Sequence, residues 1–106
     1  MSRIKQIRDM LSSDFKDSFL NYALALELEK EGEIDAAIVQ LFHLKKLNLD
    51  YLPLYYKLAE LLTMRQEIAK AKMVYMEGID LAQKQNNGKT LKELKEALFN
   101  LEIEFE

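Results

Sequence analysis

Nine residues return as the identical amino acid at one fixed interval, and that recurrence constrains the fold more than any other feature of the chain. Leu20, Tyr22, Leu24, Ala25, Leu28, Glu33, Ile34, Ala37 and Leu47 reappear 34 residues later as Leu54, Tyr56, Leu58, Ala59, Leu62, Glu67, Ile68, Ala71 and Leu81. Within each copy the apolar positions follow helical spacing. A helical pattern repeating at this period marks stacked helix pairs, each of which buries its apolar face only against a neighbour. A solenoid of that kind supplies a binding scaffold without naming what it binds.

Composition agrees with helices. Three glycines and one proline in 106 residues leave little material for β-type turns. With 49% hydrophobic and 31% charged residues, the chain sits within the range of ordinary globular proteins. Its length suits one domain that buries roughly 60–70% of the surface of the unfolded chain. The absence of cysteine removes disulfides, thiolate metal sites and a cysteine nucleophile, and fits a reducing compartment. The first residues, Met1 to Arg8, carry charge where a secretory signal would be apolar, and no stretch approaches the length of a bilayer span. The expectation is a cytoplasmic, soluble chain with no membrane partner. A net charge of −3, without a dense basic face, argues against nucleic acid as a partner.

Taken in order, Ile4, Ile7, Met10 and Leu11 give residues 3–12 a single apolar stripe and predict a short helix. Ser12-Ser13-Asp14 interrupts it, and Asp17 or Ser18 can cap the next helix, expected from Ser18 to about Lys30. That helix is apolar nearly all round, so it is packed on more than one side. Gly32 supplies a left-handed turn, and a second helix is expected from Ile34 to about Lys46. The pattern repeats over Tyr51–Met64, with Pro53 in the first turn, and over Ile68–Lys84. Gln66 stands at the turn position of Gly32, which requires a backbone conformation disfavoured for a residue with a side chain. After Gln85-Asn86-Asn87-Gly88, a helix capped by Thr90 with Glu93 is expected to run to Leu101 with one wet face, followed by a frayed acidic tail.

These residues resemble a tetratricopeptide repeat (TPR). Leu24, Ala25, Leu28, Gly32, Ile34 and Ala37 match the motif in the first unit, and Leu58, Ala59, Leu62, Ile68 and Ala71 match it in the second. The alanines allow the two helices of a pair to cross closely. The resemblance covers about residues 17–84. Gln66 departs from the turn glycine, Gly78 replaces an alanine, and Leu49 and Gln83 stand where the family ends a unit with proline. It implies an all-α, right-handed superhelix of about six helices. The expected plan is an N-terminal half-repeat helix at 3–12, repeat one at 17–50, repeat two at 51–84 and a C-terminal capping helix at 89–101.

The resemblance also implies a concave groove lined by the first helix of each pair. It would be formed by Phe19, Tyr22, Leu26, Glu29 and Lys30 in the first unit and Pro53, Tyr56, Glu60, Thr63 and Met64 in the second. Tyr22 and Tyr56 either contact a partner there or fill space between adjacent first helices. The family's carboxylate-gripping side chains are replaced by Tyr22, Leu26 and Tyr56, with only Lys30 nearby. The implied ligand is therefore an amphipathic helix or an extended apolar segment of another protein. Tyr51, Tyr55 and Tyr56, beside Leu52 and Leu54, mark either a second contact patch or packing against the preceding loop. His43 is expected in solvent, with no partner at metal spacing. No carboxylate pair, phosphate loop or activated nucleophile emerges, so no cofactor, metal or catalysis is expected. The alternative function is assembly of a structural subunit or homodimer through the terminal helices, because two repeats fall below the usual three for a self-sufficient stack.

Overall fold

A computed structural model describes residues 2–106. They form six α-helices: α1 (Arg3–Ser13), α2 (Ser18–Lys30), α3 (Ile34–Leu47), α4 (Pro53–Met64), α5 (Ile68–Lys84) and α6 (Gly88–Glu104). The described residues contain no strand. The 34-residue interval is visible in the element ends, since α2 and α4 stop at Lys30 and Met64 and α3 and α5 start at Ile34 and Ile68. The architecture is an all-α helical repeat. By internal contacts the chain divides into two compact units, one ending at Leu54 and one comprising Tyr55–Glu106.

In the first unit, α1 packs on α2 and α2 on α3. Ile7, Leu24, Leu28, Leu41 and Leu44 are buried, as are Ala25 and Ala37, whose small side chains permit close helix approach. Asp17 caps α2, its carboxylate accepting from the Leu20 N–H at 2.8 Å. One polar side chain sits in this core. Asn21, 2% exposed, donates from Nδ2 to the carbonyls of Phe15 and Asp17 at 3.1 and 2.8 Å, and its Oδ1 accepts from Gln40 Nε2 at 2.7 Å. Each of its groups is satisfied, as a buried amide requires. The result ties the α1–α2 turn to α2 and α2 to α3.

In the second unit, α5 packs on α6, and Leu58, Leu61, Ala71, Val74, Ala82, Leu94 and Leu101 are buried. Gly78 lies where α4, α5 and α6 meet. A Cβ there would stand 2.8 Å from the Tyr55 Cβ and 3.1 Å from a Leu94 methyl, so only glycine fits without displacing a neighbour. The repeat interval gives the reason. Tyr55 and Gly78 correspond to Asn21 and Leu44, so a larger residue on the first helix accompanies a smaller one on the second.

The connections between α2 and α3, α4 and α5, and α5 and α6 are built alike. Gly32, Gln66 and Asn86 adopt positive φ, at 81°, 62° and 56°. The next N–H in each case bonds back five residues: Glu33 to the Leu28 carbonyl, Glu67 to Leu62 and Asn87 to Ala82, all at 2.9 Å. This closes the helix end by satisfying carbonyls that would otherwise lack partners. The strained turn expected at Gln66 is thus present. Asn86 tolerates the same conformation better, because a short amide side chain is less disfavoured there.

Four boundaries differ from expectation. Helix α1 continues through Ser13, whose following residue, Asp14, donates its N–H to the carbonyls of Met10 and Leu11. Helix α4 begins at Pro53 rather than Tyr51, with proline at its first position, where no N–H is needed. Helix α6 begins at Gly88 and is capped by Asn87, whose side chain accepts from the Thr90 N–H at 3.0 Å, so Thr90 is not the cap. Its end lies beyond Leu101. It extends to Glu104, because Leu101 is buried at 4% exposure and anchors the last turn.

Four substitutions test these positions. Gly78→Ala should lower stability by about 1–3 kcal/mol through overpacking, despite alanine's better helix propensity. Gly88→Ala, where a Cβ meets nothing within 4 Å, should leave the thermal melt unchanged or raise it. At the turns, Gln66→Gly should stabilise by about 0.5–1 kcal/mol, since relief of a left-handed residue outweighs the added chain entropy. Gly32→Gln should destabilise by a similar amount. Denaturant unfolding followed by circular dichroism measures all four, and a shift of the same sign at both turns would exclude backbone strain as the cause.

Candidate functional site

Helical spacing places Phe19, Tyr22, Leu26, Glu29 and Lys30 on one face of α2, and Pro53, Tyr56, Glu60, Thr63 and Met64 on the matching face of α4. The two stripes occupy the same register of the 34-residue interval.

On α2, Phe19 is 68% exposed, whereas Tyr22, Leu26 and Glu29 are half-buried and Lys30 is exposed. The Tyr22 ring tilts against Tyr51, with centroids 5.6 Å apart. Tyr22 is therefore a half-buried ring supported by Tyr51. Burial and the Asp17 carboxylate both raise the Tyr51 phenol above its usual pKa, keeping it neutral. At the helix end, Glu27 accepts from Arg3 Nε at 2.9 Å and lies 3.4 Å from Lys30 Nζ. This holds α1 against α2 and neutralises the edge of the stripe.

On α4 the character changes. Pro53 is exposed, Tyr56 is 39% exposed and Met64 55% exposed. Thr63 donates its hydroxyl to the Ala59 carbonyl at 2.9 Å, so the hydroxyl is already satisfied by its own helix. Tyr56 meets the Tyr75 ring edge-on, with centroids 6.1 Å apart and an interplanar angle of 80°. Glu60 pairs with Lys57 at 2.7 Å. Burial, followed by the nearby Tyr56 and Glu60, pushes the Tyr75 phenol up to about 12. Tyr56, Lys57, Glu60 and Tyr75 form a polar, aromatic cluster where the corresponding positions of the first unit, Leu26 and Leu41, are aliphatic. The sequence reading singled out Tyr56 and Glu60 but missed Tyr75 and Lys57. The joint change of Leu26 to Glu60 and Leu41 to Tyr75 across the interval was the available signal.

The remaining candidates fall as follows. Tyr55, Leu52 and Leu54 are buried and Tyr51 is half-buried, which is the packing alternative for that aromatic run. His43 is exposed. Among the described residues no three His, Cys, Asp or Glu side chains converge to hold a metal ion. Among the described residues no helix is long and apolar enough to cross a membrane.

A buried phenol with a raised pKa links stability to pH. The folded state holds the Tyr75 proton above pH 10, where the unfolded chain releases it, so stability present below pH 10 falls as pH approaches 12. Urea unfolding from pH 9 to about 12 should show this loss, and Tyr75→Phe should flatten it. An unchanged slope in the variant would assign the loss to other groups.

No protein-family model matches the chain, and no curated protein matches it. Solved structures do. A tetratricopeptide repeat domain protein from Salinibacter ruber, determined in solution, is 31% identical over 81% of this chain and 87% of its own, with a TM-score of 0.79. The Yersinia enterocolitica type III secretion chaperone SycD, in complex with a peptide of the translocator YopD, is 19% identical. That similarity covers 97% of this chain and 79% of SycD, with a TM-score of 0.86. The TPR2B domain of yeast Sti1, in its pHsp70 complex, is 17% identical over 95% of this chain and 81% of its own, with a TM-score of 0.87. The identity and coverage shared with the Salinibacter domain, together with the matching 34-residue helix pairs, establish that this chain belongs to the tetratricopeptide repeat family.

Proposed function

We propose that the chain is a non-catalytic protein-interaction module, an adaptor or scaffold that takes a helical or extended apolar segment of another protein. The contact residues would be those on the matching faces of α2 and α4. The observation that carries this reading is the stripe on α2. Phe19 is largely exposed, Tyr22 is braced by Tyr51, and Leu26 is partly open beside them. Aromatic rings whose orientation is already fixed lose little entropy when a partner covers them. The mixed edge at Glu29 and Lys30 then sets direction more than affinity. On α4, Tyr56 and Met64 supply apolar contact, and Glu60 and the Tyr56 hydroxyl supply polar choice. Two proteins of the same fold, SycD and the Sti1 domain, are seen with peptide or protein partners, which favours this class of function.

Selection of a displayed library of random peptides against the chain tests the proposal. Enriched sequences should carry apolar residues at helical or alternating spacing. Their affinity should fall about tenfold or more in Phe19→Glu, since a charge replaces an exposed anchor. Tyr22→Ala is a poorer probe because the ring also supports Tyr51. Failure to enrich any apolar pattern, or equal affinity for the folded Phe19→Glu variant, would refute the reading.

A further inference from the structure

The outer face of α6 is not the wet face expected of a capping helix. Leu94 and Leu101 are buried, yet on the opposite side Phe99 and Ile103 are 62% and 54% exposed. Lys92, Glu96, Phe99 and Ile103 are all exposed and spaced by four, three and four residues, the seam spacing of two paired helices.

The charges on this helix are separated along its length. Residues 88–95 hold three lysines and one glutamate, whereas residues 96–106 hold four glutamates and no basic residue. No acidic residue lies in the first turn and no basic one in the last, so the pattern opposes the helix dipole at both ends. Among the described residues none of these lysines and glutamates has an ion-pair partner. A helix with a positive first half and a negative second half is complementary to itself when reversed. The partner that fits is a second copy of the same helix, antiparallel, which also opposes the two dipoles favourably.

We propose that this chain self-associates through an antiparallel α6–α6 contact about a two-fold axis near Leu98 and Phe99. Lys95 and Glu102 lie seven residues apart on one side of the helix, so that axis brings Lys95 of each copy beside Glu102 of the other, while on the opposite side it sets Glu93 beside Glu104, a like-charge pair that weakens the contact. Phe99 meets Phe99 at the axis, and Ile103 enters between the Lys92 and Glu96 stems of the second copy. The helix is 17 residues long, about 25 Å. A contact of that length buries less than a permanent dimer does, so the association is weak and reversible.

Sedimentation equilibrium of the whole chain from about 10 µM to 1 mM tests it. A monomer–dimer equilibrium is expected, weakened by added salt. Lys95→Glu and Glu102→Lys should each weaken it about tenfold, because every reversal acts twice across a two-fold axis. Mixing the two variants should restore association, since each then meets its opposite charge. Phe99→Ser should also weaken it without altering affinity for peptides selected against the chain. A monomer at every concentration, or a dimer indifferent to both charge reversals, would overturn the proposal. These are exposed positions, so circular dichroism should show all variants folded.

Discussion

Two helices can be joined by three residues only if one of those residues leaves the right-handed region, and much of this architecture depends on that turn. At Gly32, Gln66 and Asn86 the backbone takes positive φ, and the following N–H reaches back five residues to close the preceding helix. The same residue that ends one helix stands at the start of the next. Glu33, Glu67 and Asn87 each do so, and only Asn87 adds a side-chain cap. The direction of the helix that follows each turn is thereby set by local backbone geometry. Packing then needs to supply only the correct distance between helices.

That distance is set by side-chain volume at a few positions. Ala37 and Ala71 are fully buried, and Gly78 has no room for a methyl group. The two units share a helical pattern but solve their cores differently. The first places a hydrogen-bonded amide, Asn21 with Gln40, where the second places Tyr55 and Val74. An amide with every bond made specifies position through geometry, whereas a buried ring specifies it through shape. Gly78 is the cost of the second solution, because Tyr55 occupies the volume that Leu44 fills in the first unit.

The surfaces follow from the same divergence. The α2 face remains mostly apolar, with Tyr22 supported from Tyr51. The α4 face acquired Glu60 and the underlying Tyr75, and with them a polar cluster whose phenol is held neutral by burial. A repeat fold allows this because each first helix presents its outer residues independently of the alanines that set the crossing. Helix α6 carries the idea further, with a buried seam that closes the second unit and an opposite face whose charge order suits its own reverse.

The repeat period, the helix-pair architecture, the left-handed turns at Gly32 and Gln66 and the crossing alanines were readable from the sequence alone. Each is a local property, expressed as residue type at a fixed spacing. Tertiary structure decided what spacing cannot express. Whether Tyr55 is buried and Tyr56 open depends on which neighbour reaches that side of α4. Gly78 reads as a departure from alanine until Tyr55 and Leu94 are placed beside it. Asn87, rather than Thr90, caps α6 because the α5–α6 turn places that residue's side chain over the first free N–H groups. Phe99 and Ile103 stand exposed because, among the described residues, α6 buries its opposite side, at Leu94 and Leu101. Local patterning determines which elements form, and only the three-dimensional arrangement determines which of their faces remain open to solvent.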